Sequence, residues 1–177
     1  MSANSATGHY FFARWLVDQG RGTEAVTHLA LAIERSTAYM PPRVTLMNLY
    51  AARGDQPALE ALVESTLTLA PSDPAATAYF NGGTPYSDPA TDGEGLWDQG
   101  LAFTNQARHL EAAVVYRQAV AAGGTTADIL NNLGWSLGQL GFLDLAIPFF
   151  EQALEHRPEF SLAANNLNWA KGQLGAQ

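Results

Sequence analysis

Two stretches of this 177-residue sequence, NNLGWSLGQLG at residues 131–141 and NNLNWAKGQLG at residues 165–175, are identical at eight of eleven positions. They begin 34 residues apart (165 − 131 = 34). Recurrence at a fixed interval of this size is typical of repeat architectures, in which one supersecondary structure is stacked several times. Apolar residues within the interval recur at spacings of three and four, as in an amphipathic helix, and the pattern breaks at Gly141. The sequence therefore predicts repeats of two short helices joined by a tight turn.

The same interval aligns small and apolar residues over most of the chain. Gly100, Phe103, Ala112, Tyr116 and Ala119 align with Gly134, Leu137, Ala146, Phe150 and Ala153. Between the two halves, the stretch PAATAYFNGGTPYSDPATD at 74–92 is rich in Pro, Gly, Ser, Thr and Asp, so we expect a short helix capped by Asp73 and then a loop. The predicted organisation is repeats at 6–39 and 40–73, a short helix and linker loop at 74–92, repeats at 93–126 and 127–160, and a capping helix at 161–177.

Composition limits the kinds of partner. Nine basic residues against seventeen acidic ones give a net charge of −8, which repels nucleic acid and anionic lipid and favours a neutral to basic protein or peptide. The absence of cysteine excludes disulfides and thiolate chemistry. No apolar run reaches membrane-spanning length, so we expect a soluble chain without direct membrane insertion, in either the cytoplasm or the periplasm.

Residues Ala127 to Phe160 resemble a tetratricopeptide repeat. That family's pattern is an aromatic residue or leucine, then Leu-Gly, a bulky residue, a small alanine, an aromatic residue, a second alanine and a closing proline. The matching residues are Leu130, Leu133, Gly134, Leu137, Ala146, Phe150, Ala153 and Pro158. Residues 93–126 fit almost as well, with Gly124 where proline is usual. The resemblance implies an all-α fold, a right-handed superhelical stack of antiparallel helix pairs with a C-terminal capping helix.

The resemblance also implies a concave groove lined mainly by the first helix of each repeat. Two copies of an Asn-Asn-Trp cluster, each followed by glutamine, are expected to face this groove. They are Asn131, Asn132, Trp135 and Gln139, and then Asn165, Asn166, Trp169 and Gln173. Asparagine can satisfy both groups of a peptide backbone, and tryptophan offers a flat apolar surface. In some family members a ladder of asparagines holds a peptide main chain, and Asn132 and Asn166 match that ladder.

Five further residues are candidates for contact with a partner in the other repeats. They are Trp97 and Asp98 in the third repeat, Asn48 in the second, and Tyr10 and Arg14 in the first. An alternative interpretation is structural: Asn131 and Asn165 would hydrogen-bond between neighbouring helices, and the tryptophans would be half-buried core residues. The clamp of basic residues with which chaperone-binding members grip a carboxylate has no counterpart, since Arg14 alone cannot form one.

No constellation in the sequence indicates catalysis. The four histidines lack metal-ligand spacing, and neither a nucleophile–base–acid set nor a phosphate-binding loop is present, so we expect no enzyme, metal or cofactor. The leading hypothesis is an interaction module that binds an extended peptide or a helix of a partner in its groove. A second hypothesis is a C-terminal appendage that positions an acceptor, because residues 9–21 and 157–175 also resemble, more weakly, repeats attached to bacterial membrane glycosyltransferases. A third is a scaffold that self-associates as a homo-oligomer.

Overall fold

The computed structural model describes residues 5–87 and 91–176, which form ten α-helices and no strand. One isolated bridge pairs Thr84 with Ser87. The chain divides into two compact units, Met1–Pro89 (unit 1) and Ala90–Gln177 (unit 2), each of which is described by itself. The all-α prediction is confirmed.

Unit 1 contains five helices. They are α1 (Ala6–Asp18), α2 (Gly22–Arg35), α3 (Met40–Arg53), α4 (Gln56–Leu69) and the short α5 (Pro74–Phe80). Consecutive helices pack against each other, and α5 also contacts α3. The core between α3, α4 and α5 is built from Met47, Leu59, Val63, Ala75 and Ala76.

Unit 2 contains the other five helices. They are α6 (Gly93–Asn105), α7 (His109–Ala121), α8 (Ala127–Gln139), α9 (Leu143–His156) and α10 (Ser161–Gly175). Consecutive helices again pack together, and α8 also contacts α10, as expected where the first helices of successive repeats lie side by side. A core cluster joins α8, α9 and α10 through Ala127, Leu130, Ala153 and Ala163.

The helices begin in step with the sequence interval. In unit 1 the first helices start at residues 6, 40 and 74, and in unit 2 at residues 93, 127 and 161, so each step is 34 residues. Asp73 and Asp92 cap α5 and α6, because each side chain accepts a hydrogen bond from the first helical turn. Gly54 and Gly141 adopt positive φ after α3 and after α8, where the chain reverses into the next helix.

Glycine at the helix crossing lets α8 and α9 approach closely. A Cβ added to Gly134 would lie 2.8 Å from Cε1 of Phe150, which is fully buried. Gly100 meets the ring of Tyr116 in the same way between α6 and α7. The small residues that the repeat pattern requires thus stand where a large aromatic ring of the second helix covers the first helix.

Candidate functional site

The two Asn-Asn-Trp clusters lie next to each other in unit 2. Asn166 Nδ2 on α10 donates a hydrogen bond to Asn131 Oδ1 on α8 at 2.9 Å. Thr126 caps α8 by accepting from the Ile129 amide, which fixes the start of the helix and with it the direction of Asn131. The clusters therefore form one continuous patch. We call this patch the amide–indole surface, and it comprises Asn132, Trp135, Gln139, Asn165, Asn166, Trp169 and Gln173.

A chain of side-chain hydrogen bonds runs from α10 across unit 2 to α6. Asn131 Nδ2 donates to Asn132 Oδ1 at 3.1 Å, and Asn132 Nδ2 donates to the Tyr116 hydroxyl at 3.3 Å. That hydroxyl lies 3.4 Å from Thr104 Oγ1, which itself donates to the Gly100 carbonyl. Burial raises the pKa of Tyr116, so the phenol keeps its proton at neutral pH and can donate to Thr104. This series of hydrogen bonds fixes the orientation of the Asn132 and Asn166 amides.

Asn131 does not face solvent, contrary to the groove-facing position expected from the sequence. Only 1 % of its surface is exposed, because α10 covers it and Asn166 bonds its carbonyl oxygen. Its contact with Asn166 is the inter-helix hydrogen bond that the structural interpretation assigned to Asn131. Asn165, the other residue of that interpretation, is exposed instead. Asn131 thus links the two clusters from below the surface.

The two tryptophans are paired and half-buried. The ring centroids of Trp135 and Trp169 lie 5.2 Å apart at an interplanar angle of 47°. Trp169 lies across α8, since a Cβ on Gly138 would come within 2.7 Å of its Cζ3 atom. Part of each indole is thus held by packing, while the rest contributes apolar area to the surface.

The remaining amides of the surface border the tryptophan pair. Asn165 and Gln173 are exposed on α10, and Gln139 is half-buried near the end of α8. Asn132 and Asn166 are also half-buried. An asparagine amide has two N–H donors and an oxygen with two lone pairs, so each of these two still has capacity for a bound peptide backbone.

Trp97 and Asp98 lie on α6 of the same unit, and they differ in exposure. Asp98 is exposed, whereas Trp97 is half-buried with its ring centroid 6.1 Å from that of Tyr116. A cleft of about 540 Å³ separates Trp97 from the start of α8, with Glu94 and Asp128 on its walls. Asp128 forms an ion pair with Arg157, the residue that follows α9.

Of the three candidates in unit 1, Tyr10 and Arg14 contact each other on α1, whereas Asn48 lies on α3. Tyr10 accepts a hydrogen bond from Arg14 Nη1 at 3.3 Å on α1, and its ring meets Tyr39 edge-on. Asn48 is buried, contrary to expectation. The Tyr79 hydroxyl donates to its Oδ1 and its Nδ2 donates to the Tyr86 hydroxyl, both at 2.7 Å. The turn that follows α5 therefore covers the side chain that was expected to meet a partner.

Two residues of the site could not be recognised as such from the sequence. Tyr116 matched the aromatic residue of the repeat pattern. Nothing in the sequence indicated that its hydroxyl would accept a hydrogen bond from Asn132. Gly138 lies outside the family pattern, although its recurrence as Gly172 in the second stretch was visible. The signal that could have identified Gly138 is its place one turn after Trp135 in α8.

Metal-binding clusters and membrane-spanning helices are both absent from the described residues. Within residues 5–87 and 91–176, no three His, Asp or Glu side chains are grouped so as to hold a metal ion. None of the helices described there combines the length and the apolar character needed to cross a bilayer. The exposed apolar residues include Phe11, Phe12 and Trp15 on α1.

The helix spacing gives the class of the chain, and comparison with known proteins finds one family match. Ten helices that begin at intervals of 34 within each unit define an α-helical repeat protein. The tetratricopeptide repeat family model matches residues 126–157, which cover α8 and α9. Residues 126–157 are thus similar to a tetratricopeptide repeat, as the pattern of residues 127–160 predicted, and this match supports a protein-interaction module. Among curated proteins none matches the chain.

Several solved structures are similar to the model at low sequence identity. The crystal structure of YrrB, described as a TPR protein with an unusual peptide-binding site, is 16% identical with a TM-score of 0.46, covering 98% of this chain and 80% of that chain. MamA residues 41–end from Desulfovibrio magneticus RS-1 is 16% identical with a TM-score of 0.44, covering 96% and 85%. A crystal structure of MamA protein is 16% identical with a TM-score of 0.46, covering 99% and 85%.

Proposed function

We propose that unit 2 binds an extended peptide segment of a partner protein on the amide–indole surface. The hydrogen bond from Asn166 to Asn131 carries this proposal, because it joins the two clusters into one surface with fixed amide directions. An extended peptide presents alternating N–H and C=O groups, which Asn132, Asn165 and Asn166 can pair with irrespective of the peptide's side chains. The tryptophan pair adds apolar contact beside these amides.

The charge of unit 2 favours a neutral to basic peptide. Residues 90–177 contain four Lys or Arg and nine Asp or Glu, a net charge of −5 (4 − 9 = −5). Such a field attracts basic segments and repels acidic ones. Binding without catalysis is also consistent with the tetratricopeptide repeat class.

A random peptide library captured on the 177-residue chain would supply ligands for a direct test. We expect Asn132→Ala combined with Asn166→Ala to weaken the captured peptides by about tenfold or more, because two amide contacts of about 0.5–1.5 kcal/mol each are lost. Asn165→Ala, which removes no internal hydrogen bond found in the structure, should weaken them by a smaller factor while leaving folding intact. Affinity would be measured by fluorescence anisotropy.

The matched control is Asn105→Ala combined with Gln152→Ala, which removes two exposed amides on α6 and α9. This control should bind the peptides like the wild-type chain. Circular dichroism melts of every variant separate lost binding from lost folding. Equal affinity in the wild-type chain, the Asn132/Asn166 variant and the Asn165 variant would refute binding at this surface.

A further inference from the structure

Unit 1 ends in an incomplete repeat. Helix α5 has seven residues, whereas the first helices α1 and α3 have 13 and 14. After Phe80 the chain turns at Gly82, where φ is +79°, and the following residues return Tyr86 to Asn48. Within residues 5–87, therefore, the repeat that α5 begins has no second helix of its own.

A cleft of about 520 Å³ opens between α4 and α5. Leu59 and Val63 of α4 form its apolar floor, Phe80 stands on the far side, and Glu60 and Glu64 form the near rim. Phe80 is 72% exposed, more than any other large apolar side chain in the described residues. The cleft thus combines apolar area left uncovered in unit 1 with an acidic edge.

The repeat register indicates what normally covers such a surface. Phe80 is the seventh residue of its first helix, as Leu46 is in α3 and Leu133 is in α8 (80 − 74 = 46 − 40 = 133 − 127 = 6). Leu133, in a complete repeat, is 0% exposed. Leu46 is 4% exposed, whereas Phe12 at the same position of α1 is 43% exposed, so the burial that α5 lacks is the one seen in α3 and α8.

Unit 2, in which two complete repeats follow each other, also indicates where the missing second helix of unit 1 would lie. Shifting Glu64 and Leu67 from the repeat at 40 to the repeat at 93 gives Arg117 and Val120 of α7 (64 − 40 = 117 − 93; 67 − 40 = 120 − 93). The Arg117 guanidinium lies 5.0 Å over the ring of Phe149 of α9, and Val120 packs against the cluster that contains Ala153 of α9. In unit 2 the Phe149 side chain of the second helix α9 therefore lies against Arg117, the residue that corresponds to Glu64 on the rim of the cleft.

The two glutamates of the rim favour a basic helix over an acidic one. Glu60 and Glu64 are exposed and one turn apart, and Gln56 Nε2 donates to Glu60 Oε1 at 2.8 Å. Among the described residues neither carboxylate forms an ion pair. We propose that the α4–α5 cleft binds an amphipathic helix of a partner protein that carries Lys or Arg beside its apolar face, and that this helix takes the place of the missing second helix.

A second copy of the chain is a poor donor of that helix. The second helices α2, α4, α7 and α9 are each packed against the first helix of their own repeat, so a donor copy would have to open a folded repeat. The partner is therefore a different protein. This inference concerns unit 1 and does not depend on peptide binding by unit 2.

The probe is a labelled peptide that keeps the apolar residues of α2 and has Lys at every polar position, with an all-Glu version as the charge control. Lys and Glu have similar helix propensities, so the pair differs mainly in charge. In anisotropy titrations with the 177-residue chain, we expect the Lys peptide to bind about tenfold or more tightly than the Glu peptide. Glu60→Lys combined with Glu64→Lys should weaken the Lys peptide by a similar factor.

Glu34→Lys combined with Glu155→Lys is the matched control, because it changes the net charge equally at two other exposed glutamates. It should bind the Lys peptide within about threefold of the wild-type chain. Phe80→Ala, at an exposed position, should fold normally and bind weakly. Equal binding of the two peptides, no effect of the cleft variants, or an equal effect of the control pair would overturn the proposal. So would a wild-type dimer that Phe80→Ala converts to a monomer.

Discussion

Two histidines meet where α1 packs against α2. The Nδ1 atoms of His9 and His28 lie 3.0 Å apart, so one nitrogen must donate and the other must accept. The ring of Phe12 meets His28 edge-on with centroids 4.7 Å apart. Burial lowers the pKa of His28, nearby His9 lowers it further, and Glu24 partly opposes both. The contact therefore requires at least one neutral imidazole.

The stability of unit 1 should depend on this pair in mild acid. The pKa of His28 is lower in the folded chain than the value of about 6.5 in an unfolded chain, so the unfolded chain binds the proton first and stability falls as the pH drops below about 6.5. We expect the decrease in melting temperature between about pH 7.5 and about pH 5.5 to be smaller for His28→Gln than for wild type. His156→Gln, which removes an exposed histidine of α9, should keep the wild-type decrease. Equal decreases for His28→Gln and wild type would contradict this assignment.

The sequence predicted which residues occupy equivalent positions better than it predicted whether each residue is exposed. The 34-residue interval placed Asn131 and Asn165 at equivalent positions, yet the first is buried and the second exposed. The reason is that α10 covers α8, while in the described chain no further helix follows α10. Periodicity gives the face of a helix and says nothing about whether the next helix is present. Asn48 is a second example, because its burial depends on Tyr86 from an irregular turn.

At the scale of the helix, the contact between α8 and α10 depends on glycine at position 138, which has no side chain. Gly138 leaves room for the indole of Trp169, which a Cβ would approach to 2.7 Å at Cζ3 and 3.0 Å at Cη2. Gly172 is the equivalent residue of α10 (172 − 138 = 34), and a Cβ there would meet no atom within 4 Å. The same residue type in the same register thus has a packing role only in the covered helix.

These two glycines give a matched test by alanine substitution. Alanine is favoured over glycine in a helix by about 1 kcal/mol, so Gly172→Ala should raise the free energy of unfolding by about 0.5–1 kcal/mol. Gly138→Ala should lower it by about 1–3 kcal/mol, because the Trp169 ring must move. Urea unfolding followed by tryptophan fluorescence measures both changes. Stabilisation by both substitutions would show that the indole does not pack on Gly138.

The helices themselves were largely predictable, and the exception has a physical cause. The capping residue Asp73 predicted where α5 begins, and the regular spacing of the repeats predicted where α6 begins. The sequence also predicted that α5 would be short, because Gly82 follows it directly. It could not predict the cleft beside α5, since an open surface results from a helix that the chain does not supply.

At the scale of the whole molecule, each unit has a hydrophobic core of its own. The cluster around Met47 and Val63 belongs to unit 1, and the cluster around Leu130 and Ala153 belongs to unit 2. Repeat stacks are stabilised by contacts between neighbouring helices, so a unit that keeps its neighbours can fold alone. We expect fragments 1–89 and 90–177 each to show a helical circular dichroism spectrum and a cooperative thermal transition. A fragment with the spectrum of a random coil would show that its core is insufficient.

The break in the repeat also has an evolutionary side. Helices α5 and α6 begin 19 residues apart, whereas the first helices within each unit begin 34 apart, so the two series are out of phase by 15 residues (34 − 19 = 15). That difference equals the length of α10. One in-frame insertion of 15 codons after α5 would bring the whole chain into a single phase. The register of the first helices is therefore interrupted between α5 and α6 by a shift that a single insertion could remove.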